Sequence, residues 1–215
     1  MCFAAAQSWA GEAEWKLLYD QAELHFQRGN LEQAELFARE ALREAESAFG
    51  DNHRATELSL ARAAFILRLR GKHEEALPLA QRAVRLATSR HGPEHPDTAI
   101  ALQSEAEILF AHKKLVEAEK LHRRALAIFE KRLGARHFQT ATGLHNVGTM
   151  LLAQEKYPEA EKFLRRALAV KEEVLGPGHR SVAHTLNNLA LVLEARGRNE
   201  EAAKYRRRIE AFKNQ

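Results

Sequence analysis

A unit of 42 residues recurs along this chain, and this period limits the fold more than any other feature of the sequence. Glycines recur at the fixed interval, at Gly50, Gly92, Gly134 and Gly176. Histidines follow them in step, at His53, His95, His137 and His179. Residues 93–134 and residues 135–176 are identical at 19 of 42 positions. Self-similarity at a fixed period of this length predicts an array of stacked structural repeats.

Each repeat carries two helical patterns. In the last repeat they are "SVAHTLNNLALVLEARG" from Ser181 and "NEEAAKYRRRIEAF" from Asn199. The first pattern has apolar residues at spacing i, i+3, i+4 and i+7, which form one face of a helix: Leu186, Leu189, Ala190 and Leu193. The second pattern repeats a small residue that lets helix axes approach closely, at Ala34, Ala76, Ala118, Ala160 and Ala202. Each repeat is therefore predicted to be a helix hairpin.

The segments that join the helices have the composition of turns. Gly29, Gly71 and Gly197 fall between the two helices of a repeat, where glycine can adopt the left-handed conformation that ends a helix. Lys113 and Glu155 take that place in the third and fourth repeats, so those turns must form without glycine.

The connectors between repeats carry stop and start signals, as in "GPEHPDTA" at residues 92–99. Pro93 and Pro177 prevent the preceding helix from continuing. Asp97, Thr98 and Ser181 are predicted to cap the helix that follows.

These features resemble the tetratricopeptide repeat over nearly the whole chain. The likeness rests on "LNNLA" at residues 186–190, "GRNEEA" at residues 197–202 and "RRALA" at residues 165–169. The 42-residue form with its "GPxHPxxA" connector is similar to the repeats of kinesin light chain and nephrocystin-3. The resemblance implies an all-α fold, a right-handed α-α superhelical solenoid of five hairpins at residues 11–50, 51–92, 93–134, 135–176 and 177–215.

Composition excludes several classes of protein. No apolar run approaches the roughly 18 to 20 residues that cross a bilayer, so no membrane span is predicted. The net charge of +4 comes from interspersed signs, which does not indicate a nucleic-acid partner. Cys2 is the single cysteine, so no disulfide or cysteine-rich metal site is expected. A cytoplasmic location is expected, with export as the alternative because "SWA" before Gly11 resembles the end of a signal peptide at residues 1–10.

Two motifs invite a reading as catalytic or ligand sites, and both have a simpler explanation. The four connector histidines would lie about 8 to 10 Å apart on stacked helices, too far to share one metal ion, so they are expected to cap or anchor the loops. The segment "GLHNVGT" at residues 143–149 has phosphate-loop spacing but no lysine, and it aligns with helical segments of other repeats. No catalytic residues, no metal and no cofactor are predicted, so the chain is not expected to be an enzyme.

Arginine pairs recur on the second helices, at Arg123 and Arg124, Arg165 and Arg166, and Arg207 and Arg208. They could form a basic stripe that meets phosphate. Glu119 and Glu161 precede Arg123 and Arg165 by four residues, however, and such pairs are typical of a solvated, locally neutralised outer face.

Two columns of residues on the first helices are predicted to lie opposite the core face. The first column is Asp20, Arg62, Ser104, Asn146 and Asn188, and the second is Glu23, Phe65, Glu107, Thr149 and Leu191. The resemblance implies that the first helices line a concave groove in which asparagine columns hold the backbone of an extended peptide. Asn146 and Asn188 match that pattern, whereas Asp20, Arg62 and Ser104 depart from it.

The second repeat places apolar side chains on this outward face. Leu58, Phe65 and Leu69 surround Arg62, and Ile100 follows in the next repeat. Exposed apolar clusters with aromatic and arginine anchors often mark contact sites, although a neighbouring helix could equally cover these side chains.

The sequence thus predicts a scaffold that binds a peptide or protein segment in this groove. Its residues would be Leu58, Arg62, Phe65, Leu69, Ile100, Ser104, Glu107, Asn146, Thr149, Asn188 and Leu191. Self-assembly into homo-oligomers is one alternative, and nucleic-acid binding through the arginine stripe is another.

Overall fold

A computed structural model describes the backbone of residues 2–213 and the side chains of residues 11–212. Over that range the secondary structure consists of helices, without strands. The helices are α1 (Cys2–Gln27), α2 (Leu31–Phe49), α3 (Arg54–Leu69), α4 (His73–His91), α5 (Pro96–Ala111), α6 (Leu115–Leu133), α7 (Phe138–Ala153), α8 (Tyr157–Leu175), α9 (Arg180–Ala195) and α10 (Asn199–Lys213). Two helices fall in each predicted repeat, so the all-α hairpin fold is confirmed.

Three-residue turns close the hairpins, and each has one residue in the left-handed conformation. Gly29, Gly71 and Gly197 adopt it with φ between 73° and 75°. Lys113 and Glu155 adopt it with φ of 61° and 59°, although they carry side chains. The turn is held by a backbone N–H that reaches back five residues, as from Lys156 to the Leu151 carbonyl at 2.9 Å. The turns therefore form where predicted, with glycine and without it.

The chain divides into two compact units, which we describe separately. The N-terminal unit comprises residues 1–93 and 107–112, and the C-terminal unit comprises residues 94–106 and 113–215. In the N-terminal unit, α1 packs on α2, α2 on α3, and α3 on α4. In the C-terminal unit, α6 packs on α7, α7 on α8, α8 on α9, and α9 on α10. Within each unit these consecutive helices are thus neighbours in space, as expected for hairpin repeats.

The cores of both units come from the predicted apolar stripes. In the C-terminal unit the fully buried leucines of the first helices include Leu144, Leu151, Leu186 and Leu189. The recurring alanines of the second helices are buried in all five repeats, at Ala34, Ala76, Ala118, Ala160 and Ala202. These small side chains fill the hairpin interiors and allow the close helix approach predicted for them.

The connector histidines cap the first helices. The Nδ1 atom of His53 accepts a hydrogen bond from the Ala55 N–H at 3.1 Å. His95, His137 and His179 accept the equivalent bond at 3.1 to 3.2 Å. The anchoring role predicted for these residues is confirmed.

The residues predicted as caps lie inside the helices instead. Asp97 and Ser181 donate their backbone N–H groups to the capping histidines, so the prediction that they cap the helices was wrong. Threonines at the position of Thr98 close the connector, because the Thr140 hydroxyl donates to the Gly134 carbonyl at 2.7 Å. Thr56 makes the same bond to Gly50.

The N-terminal segment, residues 1–10, was expected to be separate from the repeats. Helix α1 begins at Cys2 and runs without a break to Gln27. The side chains of residues 1–10 lie outside the described residues, and the interpretation as a signal remnant stays a prediction. Across the helices that are described, none is long and apolar enough to span a bilayer.

Candidate partner-binding faces on the first helices

Arg62 is the most tightly held of the predicted site residues in the N-terminal unit. Its Nη2 atom lies 2.6 Å from a carboxylate oxygen of Glu23. Its guanidinium carbon lies 5.7 to 5.8 Å from the ring centres of Tyr19, Phe26 and Phe65. Three cation–π contacts and one ion pair thus fix the guanidinium before any partner arrives.

Phe65 belongs partly to the core. Its ring packs edge-on against Phe26 at 5.3 Å between centres, beside the buried cluster that includes Ala63 and Ile66. The Arg68 guanidinium lies 5.3 Å from the Phe65 ring and 3.1 Å from Glu107. Leu58 is also half-buried, whereas Leu69 is 39% exposed. Of the predicted apolar cluster, Phe65 thus packs partly into the core of the N-terminal unit, whereas Leu69 stays exposed.

We define the α3 face as Arg62, Phe65, Arg68 and Leu69 together with Glu23 and Glu107. Along it, each arginine lies between the Phe65 ring and a carboxylate from a neighbouring first helix. The Phe65 ring is thus flanked by two arginines, and each arginine has a carboxylate on its outer side.

In the C-terminal unit, the predicted asparagines lie on neighbouring first helices. The Asn188 amide nitrogen donates to the Thr149 hydroxyl at 2.9 Å, and Thr149 donates to the His145 carbonyl at 2.9 Å. Asn146 is half-buried, and its amide makes no hydrogen bond to another described residue. Leu191 is 41% exposed beside them. We define Asn146, Thr149, Asn188 and Leu191 as the α7–α9 face.

Ser104 and Ile100 occupy the corresponding stretch of α5. The Ser104 hydroxyl donates to the Ile100 carbonyl one turn earlier, at 3.2 Å. The Ile100 side chain is exposed. These two residues contribute an apolar surface rather than a free polar group.

A buried polar network lies behind the α7–α9 face, and the sequence interpretation missed it. Lys171 is 2% exposed, and its Nζ donates to the Thr185 hydroxyl at 3.1 Å. That hydroxyl lies 3.1 Å from His145 Nδ1. Burial lowers the pKa of Lys171 to about 8. The sequence feature that could have predicted the burial of Lys171 is its alignment with the core residue Phe129 of the preceding repeat.

Two histidines of this region are held neutral by burial. Desolvation lowers the pKa of His145 to about 3, and the charges of Lys171, His184 and His122 act in the same direction. His122 is 1% exposed, its Nδ1 atom has no hydrogen-bond partner, and burial lowers its pKa to about 4.

Three glutamates, two of them buried and one half-buried, form carboxylate hubs between repeats. We use this name for Glu35, Glu119 and Glu161, each of which lies on a second helix and meets the hairpin turn of the following repeat. Glu161, for example, accepts hydrogen bonds from Arg165 on its own helix and from Arg196 and Arg198 in the next turn. Burial alone would raise the pKa of Glu161, but these basic groups outweigh it and hold the pKa below its ordinary value. Each hub therefore fastens one repeat to the next.

The arginine stripe on the second helices is largely neutralised. The predicted pairs are confirmed, with Arg123 at 2.7 Å from Glu119 and Arg165 hydrogen-bonded to Glu161. Arg166 and Arg208 pair with glutamates of the preceding repeat. Four of the six arginines thus have a carboxylate partner, while Arg124 and Arg207 are exposed.

The segment with phosphate-loop spacing lies inside α7, as predicted. Its two glycines serve packing, because a Cβ atom on Gly143 would lie 3.2 Å from Leu126, and one on Gly148 would lie 2.6 Å from Leu164. A phosphate cradle needs exposed N–H groups in a loop, so these glycines do not form one.

Comparisons with known proteins agree with this architecture. Tetratricopeptide repeat profiles match residues 56–131 and 139–215, and a further profile matches residues 22–55. No sequence among the curated proteins matches the chain.

Several solved structures share the fold. A Podosopora anserina protein described as a kinesin light chain with nearly identical TPR-like repeats is 21% identical, with a TM-score of 0.78 over 92% of this chain and 93% of its own. BtubC (BKLC) from P. vanneervenii is 20% identical, with a TM-score of 0.78 over 98% and 89% of the two chains. The apo form of RapI is 17% identical, with a TM-score of 0.80 over 94% and 70%.

Matches to the family profiles cover well over half of the residues, and the hairpins, turns and connectors described above have the family's arrangement. The chain belongs to the tetratricopeptide repeat family, and its fold is that of kinesin light chain-type repeats.

Proposed function

We propose that this chain is a non-catalytic scaffold that binds a peptide or protein segment through its first-helix faces. Tetratricopeptide repeat folds are generally protein–protein interaction scaffolds, which supports the general class. The observation that carries the specific proposal is that Asn146 and Asn188, on the α7–α9 face, keep hydrogen-bonding groups free.

The two asparagines are suited to reading a peptide backbone. They occupy the same position in successive repeats, and an amide side chain both donates and accepts hydrogen bonds, as a peptide group does. Asn146 has both functions free, and Asn188 keeps its carbonyl oxygen free while Thr149 orients its nitrogen. Packed helices lie about 8 to 10 Å apart, which matches roughly three residues of an extended chain. One segment could therefore meet both amides.

The α3 face offers a different kind of contact. Glu23 engages only the Nη2 atom of Arg62, so other guanidinium N–H groups remain for a partner. The surrounding rings already immobilise the Arg62 side chain. A partner that binds it therefore removes less side-chain entropy than one that binds a mobile arginine. This face is the expected anchor for a polar or acidic side chain of a bound protein.

A photocrosslinking experiment tests the proposal. A photoreactive residue at Leu191 on the α7–α9 face should capture a segment from native lysate, and the same residue at the exposed Lys162 on α8 should not capture it. The captured segment, made synthetically, is then titrated calorimetrically into the full chain. We expect Asn146→Ala with Asn188→Ala to weaken its binding at least about tenfold, the effect of one lost hydrogen bond or more.

Lys162→Ala is the matched control and should bind the segment as the unchanged chain does. Equal affinity for the double variant and the control would reject backbone recognition by these asparagines. The self-assembly alternative is separated by light scattering, since it requires the mass to rise with concentration while the segment is absent.

A further inference from the structure

One side of α1 is exposed at positions that are buried in other first helices. Leu17 is 60% exposed and Leu24 is 36% exposed. In later repeats the preceding second helix covers this side, since the fully buried Ser59, which is equivalent to Leu17, donates to the Ala41 carbonyl of α2 at 3.4 Å. The residues equivalent to Leu24 are all buried, at Ile66, Ile108, Met150 and Val192. Uncovered faces of repeat arrays are ordinarily polar, so two exposed leucines here indicate a contact surface.

The two leucines belong to a stripe with heptad spacing. Glu14, Leu17, Gln21, Leu24 and Arg28 follow one another at intervals of three and four residues. This spacing places their side chains on one side of α1, and it is the spacing by which one helix packs along another. We call these five residues the α1 stripe. Glu14 and Arg28, at its two ends, are exposed, and no described residue forms an ion pair with either.

The Glu14 end of the α1 stripe is acidic beyond the stripe itself. A cavity of about 430 Å³ lies there between α1 and α2. Its lining contains one arginine and three carboxylates, and the residues are Glu14, Leu18, Glu40, Arg43, Glu44 and Ser47. The Arg43 guanidinium lies 3.7 Å from Glu40, so it offsets one of the three negative charges. The stripe therefore has an acidic end and, at Arg28, a basic end.

We propose that the α1 stripe binds the α1 stripe of a second copy of this chain, with the two helices antiparallel around a two-fold axis at Gln21. A helix rises about 1.5 Å per residue, so Glu14 and Arg28 lie about 10 Å on either side of Gln21. Antiparallel pairing therefore sets Glu14 of each copy beside Arg28 of the other. Leu17 of each copy then lies within about 1.5 Å of the level of Leu24 of the other. This arrangement covers both leucines of each copy and forms two ion pairs.

Other arrangements of two copies fit the α1 stripe less well. Parallel helices would set like charges against each other at both ends of the stripe. Leu126 on α6 contacts α7 at Gly143, which is equivalent to Leu17. Glu210 on α10 is equivalent to Leu126, so stacking α10 of another copy on α1 would bury Glu210 against Leu17. Burial of a carboxylate against leucine is unfavourable, and we therefore expect a closed dimer and not a filament.

Sedimentation velocity of the full chain tests the dimer. One helix pair is a small interface, so we expect a monomer–dimer equilibrium with a dissociation constant of roughly 10 to 100 μM. Leu17→Ser with Leu24→Gln should weaken it at least about tenfold, because each lost contact occurs twice in a two-fold interface. Leu36→Lys is the matched control and should dimerise as the unchanged chain does. It replaces an exposed leucine of α2 at a position that is lysine in the last three repeats.

Charge variants test the antiparallel pairing without changing the core. Glu14→Arg and Arg28→Glu should each weaken the dimer at least about threefold, since each change sets like charges together twice. An equimolar mixture of the two variants should form a heterodimer at least as tight as the dimer of the unchanged chain, because opposite charges meet at both ends. This heterodimer should weaken as salt is raised.

Four results would overturn the proposal. They are an unchanged chain that stays monomeric at about 500 μM, a leucine variant that dimerises like the unchanged chain, charge variants whose mixture does not associate, and a mass that grows beyond that of a dimer. Should the leucine variant unfold, the charge variants decide, because their side chains are exposed. The dimer does not depend on the proposed peptide binding, since Asn146→Ala with Asn188→Ala should dimerise as the unchanged chain does. Either proposal can therefore fail while the other stands.

Discussion

Single residues in this chain compensate for differences between otherwise equivalent repeats. Gly148 on α7 occupies a position that is alanine in the other four repeats, at Ala22, Ala64, Ala106 and Ala190. Leu164 on α8, which faces Gly148, is larger than the alanines found at the same position in the first two repeats, Ala38 and Ala80. The loss of one methyl group on α7 makes room for the leucine on α8.

This compensation predicts that the effect of Gly148→Ala on stability changes sign when Leu164 is replaced by alanine. Gly148→Ala should destabilise the chain by about 1 kcal/mol, because the new Cβ would lie 2.6 Å from fully buried Leu164 and overpacking costs more than helix propensity returns. In a Leu164→Ala background the same change should stabilise by up to about 1 kcal/mol, since the clash is removed. Urea denaturation of the unchanged chain, the two single variants and the double variant measures these free energies of unfolding. Additive effects would contradict the proposed contact.

Burial of His122 predicts a loss of stability in weak acid. Its pKa is about 4 in the folded chain and 6.5 as the ordinary value, so between these pH values the unfolded chain binds more protons. Stability contributed by neutral His122 is therefore fully present above pH 6.5 and is lost as pH falls towards 4, at about 1.4 kcal/mol per pH unit. His145 acts in the same direction.

The variant His122→Ala isolates this contribution, because Ala38 and Ala80 show that the position accepts alanine beside an alanine on the first helix. Between about pH 7.5 and about pH 5.5 it should lose about 1.4 kcal/mol less unfolding free energy than the unchanged chain. Chemical denaturation at both pH values provides the measurement. An identical loss in the two chains would mean that His122 is not buried in its neutral form.

At the scale of helices and turns, the connectors depend on side-chain caps. His137→Ala should destabilise the chain by about 0.5 to 2 kcal/mol, since the Gln139 N–H at the start of α7 loses its acceptor. His137→Asn should recover most of this loss because asparagine is a good helix cap. Thermal and urea unfolding monitored by circular dichroism compares the two. If the asparagine variant is no more stable than the alanine variant, the imidazole is not acting as a cap.

The carboxylate hubs predict a second effect at this scale. Glu161→Gln should cost about 1 to 3 kcal/mol, because it removes the charge shared by Arg165, Arg196 and Arg198 in a largely buried position. Glu130→Gln is the control, since among the described residues Glu130 pairs with Arg166 alone, at a side-chain exposure of 38%, and it should change stability by less than about 0.5 kcal/mol. Equal effects in denaturant unfolding would argue against a fastening role for the hubs.

At the scale of the whole molecule, the sequence predicted the periodic features and missed those that depend on a single partner. Helix bounds, turns and the buried alanines follow from the period, because each repeat packs by the same rule. Phe65 could not be placed, since its exposure depends on Phe26 and Arg62 in three dimensions. Lys171 was missed because a lysine in a helical pattern is ordinarily on the surface. The hubs join residues 35 positions apart, as between Glu161 and Arg196, beyond any local pattern.

The charge of the whole molecule gives a prediction about nucleic acid. The net charge is +4, and four of the six stripe arginines pair with glutamates. We expect fluorescence anisotropy with a labelled duplex to show no tight binding at about 150 mM salt, with little change on adding Arg124→Ala and Arg207→Ala. Tight binding that falls steeply with salt and is lost in this variant would favour the nucleic-acid alternative.

The hubs also restrict how such an array can be rearranged. A second helix that carries a buried acid, as α8 carries Glu161, needs a successor whose turn supplies bases, as Arg196 and Arg198 do. Repeats of this chain are therefore not interchangeable modules, even where their helices align residue for residue. In chimeras with shuffled repeats, the order in which acids and bases meet at each junction would decide which arrays unfold as one cooperative unit.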